Sequence, residues 1–142
     1  LPSLELSGTI PIQHSEFLLY DPVPIGTSGN DDRLTNLRLL SARNKSLTQI
    51  DENLWIIQYF TGVTEAEFAN RRGQDALYSP QNDPSEQRII LIKDKQQVGA
   101  ELPAINGTIQ FGLGNGKFLV VEPANAEIEE EVTRFSIYQV QQ

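Results

Sequence analysis

A mainly β domain, a sandwich or barrel with one or two short helices inserted before Arg88, is the fold this chain's apolar patterning predicts. Three observations carry that expectation. Ile109, Phe111 and Leu113 alternate with Thr108, Gln110 and Gly112, the period-two signature of a half-buried strand. LWIIQYF at 54–60 and RIILIK at 88–93 are short runs, rich in aromatic and β-branched residues, of the kind that form buried strands. VTRFSIYQV at 132–140 alternates again, with Thr133, Phe135, Ile137 and Gln139 on one face; Phe135 and Ile137 are expected to half-bury it.

The elements follow in order. LEL and IPI within residues 1–12 read as two short extended segments, with Pro11 restricting the second to a sheet edge. An edge of this kind has unmet donors and acceptors and can pair with another subunit. Residues 21–32, DPVPIGTSGNDD, are a loop, and Asp31-Asp32 read as a solvated turn or the cap of a short helix. LTNLRLL at 34–40 fits a helical turn or a strand, and residues 43–46 read as a polar turn. LWIIQYF is assigned to a strand, with a helix ended by Gly62 as the alternative.

Thr64-Glu65-Ala66-Glu67 is a capping box, which predicts a helix from Glu65 to about Leu77 that Gly73 weakens. A second loop, SPQNDPSE, precedes RIILIK, and Asp94-Lys95-Gln96-Gln97 turns the chain into a weaker return strand, Val98 to Leu102. Residues 105–122 then form a hairpin, because Gly114-Asn115-Gly116 supplies the positive φ angles of a tight turn. Residues 124–131 are an acidic connector. The sum is about seven to nine strands. A β-trefoil is the alternative architecture: GKFLVVEP followed by TRFSIYQV has the two-strand cadence of a closing trefoil unit, although three repeats are not detectable.

With 142 residues, 39% apolar and 21% charged, the chain is expected to form one folded β-rich domain spanning 1–142. Its formal charge of −8 and pI near 4.6 disfavour free nucleic acid and anionic membrane surfaces, both of which need a basic footprint. Cysteine is absent, which excludes disulfides, thiolate nucleophiles and Cys-ligated metal sites without assigning a compartment. No run approaches the roughly 18 apolar residues of a membrane-spanning helix, and no signal-peptide pattern is present. The chain opens at Leu1 and contains no methionine, consistent with a removed leader or a trimmed chain.

Chemistry-bearing motifs dissolve on inspection. The glycines at 112, 114 and 116 open a strand, whereas a phosphate-binding glycine loop must open a helix. His14 is the only histidine, so a His-only metal site is excluded within one chain, and no nucleophile-elbow motif accompanies it. The cluster Glu127, Glu129, Glu130 and Glu131 reads as solvated connector. Trp55, Tyr59 and Phe60 would make a sugar-stacking platform if exposed, but large aromatics in an apolar run belong to cores. No catalytic, cofactor-binding or metal-ligating residue is therefore nominated.

The expected function is a non-catalytic structural or protein-binding module, with use as a repeated subunit of a larger assembly as one form of it. Partners are then protein, including further copies of this chain, bound through Leu4, Leu6, Ile10 and Ile12 at the N-terminal edge. A carbohydrate-binding module is the alternative, and a hydrolase using two carboxylates is the third reading.

Overall fold

Tight antiparallel hairpins lay out the structure, a computed structural model that describes residues 5–6, 8–124 and 132–141. The element order is α1 (Asp32–Leu40), β1 (Arg43–Asp51), β2 (Leu54–Phe60), α2 (Glu65–Gln74), two single-turn 3-10 helices (Pro80–Asn82 and Pro84–Glu86), β3 (Gln87–Lys93), β4 (Gln96–Pro103), β5 (Thr108–Gly114), β6 (Lys117–Val121) and β7 (Phe135–Gln139). Strands β1-β2-β3-β4 form one antiparallel sheet and β5-β6-β7 a second, giving a β-sandwich-like fold with two short helices rather than a trefoil. The expected β3–β4 and β5–β6 hairpins are present. Asp94 and Lys95 (φ 49° and 64°) close the first, and Asn115 and Gly116 (φ 53° and 68°) close the second. Two central residues at positive φ match the right-handed twist of the flanking strands.

The four-stranded sheet is buried on both faces, which explains why its central strands are continuously apolar. Ile50, Leu54, Ile56 and Ile89 pack against Ile109, Phe118 and Val120 of the three-stranded sheet. On the opposite face Ile57, Tyr59, Ile90 and Ile92 pack against Ile12 and Phe17. Each fully buried aliphatic or aromatic side chain contributes about 1.5–3 kcal/mol. A third cluster, Leu40, Phe60 and Val63 with Phe68 against it, ties the two helices to the end of the sheet.

One flank of the sandwich is closed because β5 approaches β1 at backbone distance. A Cβ on Gly112 would lie 2.1 Å from the Gln49 carbonyl oxygen, so this crossing requires glycine. Beside it, the Gly116 amide donates to Asp51 Oδ2 at 3.1 Å, joining the β5–β6 turn to the end of β1. Among the described residues, no strand closes the other flank, between β4 and β7.

Several expectations are corrected. Residues 8–20 form no ladder; they run as an extended strap across one face of the four-stranded sheet. Side chains satisfy its backbone instead: Gln13 N–H donates to Gln97 Oε1 and Gln97 Nε2 donates to the Gln13 carbonyl, both at 3.0 Å. Only at Leu18 does main chain take over. Its amide donates to the Thr61 carbonyl at 2.9 Å, and its carbonyl accepts from Ala42 N–H at 2.7 Å. Residues 43–46 are strand, not turn, with Lys45 bulged between Asn44 and Ser46. The 34–40 ambiguity resolves to helix, with Asp31 as its N-cap accepting from Arg33 N–H. The capping box of α2 forms as expected, but the helix ends at Gln74.

β7 is inverted relative to expectation. Its register sets Tyr138 beside Phe118, where the rings stack at 5.7 Å, and directs Phe135 and Ile137 away from the sandwich. The acidic connector, including Glu127, Glu129, Glu130 and Glu131, lies outside the described residues.

Candidate functional site

A polar constellation gathers where the strap meets β4. Three residues of β4, Gly99 to Glu101, stand opposite Ile90 alone, and this bulge re-aims Glu101 toward the strap. Glu101 accepts from Ser15 N–H at 2.8 Å, from Ser15 Oγ at 2.5 Å and from Tyr59 OH at 2.7 Å. Burial pushes the Glu101 carboxyl up, but the Ser15 side chain, Tyr59, the Ser15 amide and nearby His14 outweigh it and hold the group below the ordinary glutamate range. Burial, then the bond to Glu101, raises the Tyr59 phenol.

His14 does not complete a nucleophile pair. Its Nε2 donates to Asn44 Oδ1 at 3.0 Å, and its ring packs on Phe17 and Tyr59 at 4.2 and 4.6 Å. An ionised, fully engaged carboxylate is a weak base, so this cluster works as a clasp that holds the strap on the sheet.

A second polar network crosses the sandwich. Gln58, fully buried, donates to Gln87 Oε1 and to the Gly107 carbonyl, both at 2.8 Å, and accepts from Ile109 N–H at 3.1 Å. The bulge at Lys45 turns its ammonium onto the Gln81 carbonyl and Gln87 Oε1, at 3.1 and 3.2 Å. Burial and then Arg43 push the Lys45 ammonium below the usual lysine range. These groups face one another and stitch the sheets together.

The surface available to a partner centres on β7. Phe111 pairs with Leu119, which pairs with Ile137, and Val121 pairs with Phe135, so one outward face of the three-stranded sheet carries an apolar stripe. Its side chains are open to solvent, with Ile137 63%, Phe135 56% and Phe111 53% exposed. Edge strands elsewhere are protected: β4 is bulged, ends in Pro103 and carries the strap, while β1 is flanked by β5. β7, FSIYQ, has no charge, no proline and no register shift against β6. No strand among the described residues pairs with its second edge.

Inside that edge lies an apolar cleft of about 420 Å³, lined by Ile89, Leu91, Leu102, Ile105, Tyr138 and Val140 among others. Its origin is arithmetic. Four strands face three, and the missing strand would lie beside β7, opposite β3 and β4.

The residues nominated from sequence are not brought together. Ile12 packs into the strap-side core, Leu6 and Ile10 are exposed, and Leu4 lies outside the described residues. Tyr59 and Phe60 are completely buried and Trp55 is half-buried against the strap-side cluster, so they form no open platform. Among the described residues no group of three or more His, Asp or Glu side chains is placed to hold a metal, and no helix is long and apolar enough to cross a membrane. Sequence reasoning missed Glu101 and Lys45, whose positions depend on bulges, and misjudged the outward face of β7. The uncharged run FSIYQ was the one readable signal. No family model, curated protein or solved structure significantly matches the chain.

Proposed function

We propose that this chain is a non-catalytic structural or protein-binding module, used as a repeated subunit of a larger assembly, and that β7 is its principal contact. The carrying observation is the edge of β7, left uncovered among the described residues, with the apolar stripe beside it. Folded monomers blunt such edges with charges, prolines, bulges or covering segments, and this sandwich does so at its other edges, whereas at β7 no such device is present among the described residues. Light scattering after size-exclusion chromatography tests the reading. The wild-type chain is expected to associate, and Ile137→Lys, which places a charge in the exposed stripe, lowers the assembled mass without changing far-UV circular dichroism. A wild-type chain that stays monomeric up to about millimolar concentration, weaker than any specific assembly contact, overturns it.

A further inference from the structure

We infer that the vacancy beside β7 is an acceptor for an added strand, and that the strand comes from residues 4–10 of a second copy of this chain. The inference rests on the assembly reading above and names its partner and geometry. The cleft has the features of a missing strand: a main-chain edge along Phe135–Gln139 with which no strand among the described residues pairs, and below it the apolar side chains of Ile89, Leu91 and Leu102 from the facing sheet. An occupant must therefore be extended, apolar at every second residue on its inner side, and polar on its outer side.

The chain carries such a segment just ahead of its strap. Leu4, Leu6, Gly8 and Ile10 fall on one side of an extended backbone, and Glu5, Ser7 and Thr9 on the other. Residues 4–10 span about 23 Å when extended, enough to cover the five residues of β7, about 17 Å. Of its described apolar residues, Leu6 is 85% exposed and Ile10 38%, while the docked strap begins at Ile12. Pro11 separates the two functions, since its missing N–H ends any ladder there. Each copy then offers one segment and one acceptor, a head-to-tail arrangement that propagates into rings or filaments.

The test uses the 142-residue chain throughout. Leu6→Asp combined with Ile10→Asp should weaken self-association about a hundredfold, because two aliphatic anchors are lost. Leu6 is 85% exposed, so Leu6→Asp alone should leave the subunit's melting temperature unchanged, and it serves as the control for Ile10→Asp, whose side chain is only 38% exposed. Because the chain has no cysteine, Ile10→Cys and Gln141→Cys can be made as separate single-thiol variants, mixed and oxidised. The mixed disulfide should dominate over either homodimer. If the Asp variant associates as tightly as wild type, the strand-addition inference fails while the module reading stands. If wild type itself is monomeric, both fail. If a chain carrying both cysteines closes on itself as a monomer, the segment fills its own cleft and the second copy is excluded.

Discussion

Replacing Gln58 by Leu isolates what the buried polar network contributes. The Ile109 amide can only donate and the Gly107 carbonyl can only accept, so these two backbone groups fix the orientation of the Gln58 amide. Leucine is close in size and leaves both without this partner, in a site where Gln58 and Ile109 are essentially inaccessible to solvent. Gln87 Oε1 keeps its bond from Lys45, so it is not orphaned. The buried Ile109 amide left unsatisfied costs about 1–3 kcal/mol and the part-buried Gly107 carbonyl somewhat less, while the greater apolarity of leucine returns about 1–2 kcal/mol, for a net loss of about 2 kcal/mol. Against a typical total of 5–15 kcal/mol this is large, and it lowers the melting temperature by about 5–10 °C in a chain of this size. Urea denaturation followed at Trp55, the sole tryptophan, together with calorimetry, measures it. A loss below about 0.5 kcal/mol would show that the network is dispensable and that side-chain packing alone joins the sheets.

Phe118→Ala is expected to cost about 3–5 kcal/mol, since Phe118 is buried between the sheets and stacked on Tyr138; a denaturation shift below about 1 kcal/mol contradicts this. The depressed Glu101 carboxyl contributes stability that is present above its unfolded value of 4.5 and is lost as pH falls through its lower folded value. Melting temperature should therefore drop on acidification below about pH 4.5, with a red shift of Trp55 emission as the strap loosens, and Glu101→Gln should flatten that slope. An equally steep acid transition in the variant would place the titrating group elsewhere. Chelation with EDTA is expected to leave the melting temperature and the assembled mass unchanged, as is His14→Ala for the assembled mass; loss on chelation that zinc or calcium restores would refute this.

Period-two alternation, the two long apolar runs and the Gly-Asn-Gly turn were enough to determine a mainly β chain with its central hairpin, because each is a short-range consequence of strand pleating and turn sterics. The capping box fixed the start of α2 for the same reason: its partners lie within one helical turn. Continuous apolarity in Leu54–Phe60 also signalled burial on both faces, but not what would cover each face. The second face is covered by the strap, held by Gln97 and Glu101 more than 80 residues away in sequence, and only tertiary placement brings those side chains together.

Register decided the rest. Alternation in residues 132–140 shows that β7 has two faces, yet which face turns inward depends on pairing Tyr138 with Phe118, and a slip of one residue would exchange them. The bulges at Lys45 and Gly99–Glu101 are likewise invisible locally, although they aim two side chains whose titration the fold shifts. Sequence alone thus determined β2, β3 and the β5–β6 hairpin, but not β1, whose first residues read as a turn, nor the strap, whose extended segments form no ladder. Whether a strand ends as core, edge or docking surface was decided by the count of four strands against three, a property of the assembled sheets and of no single stretch of chain.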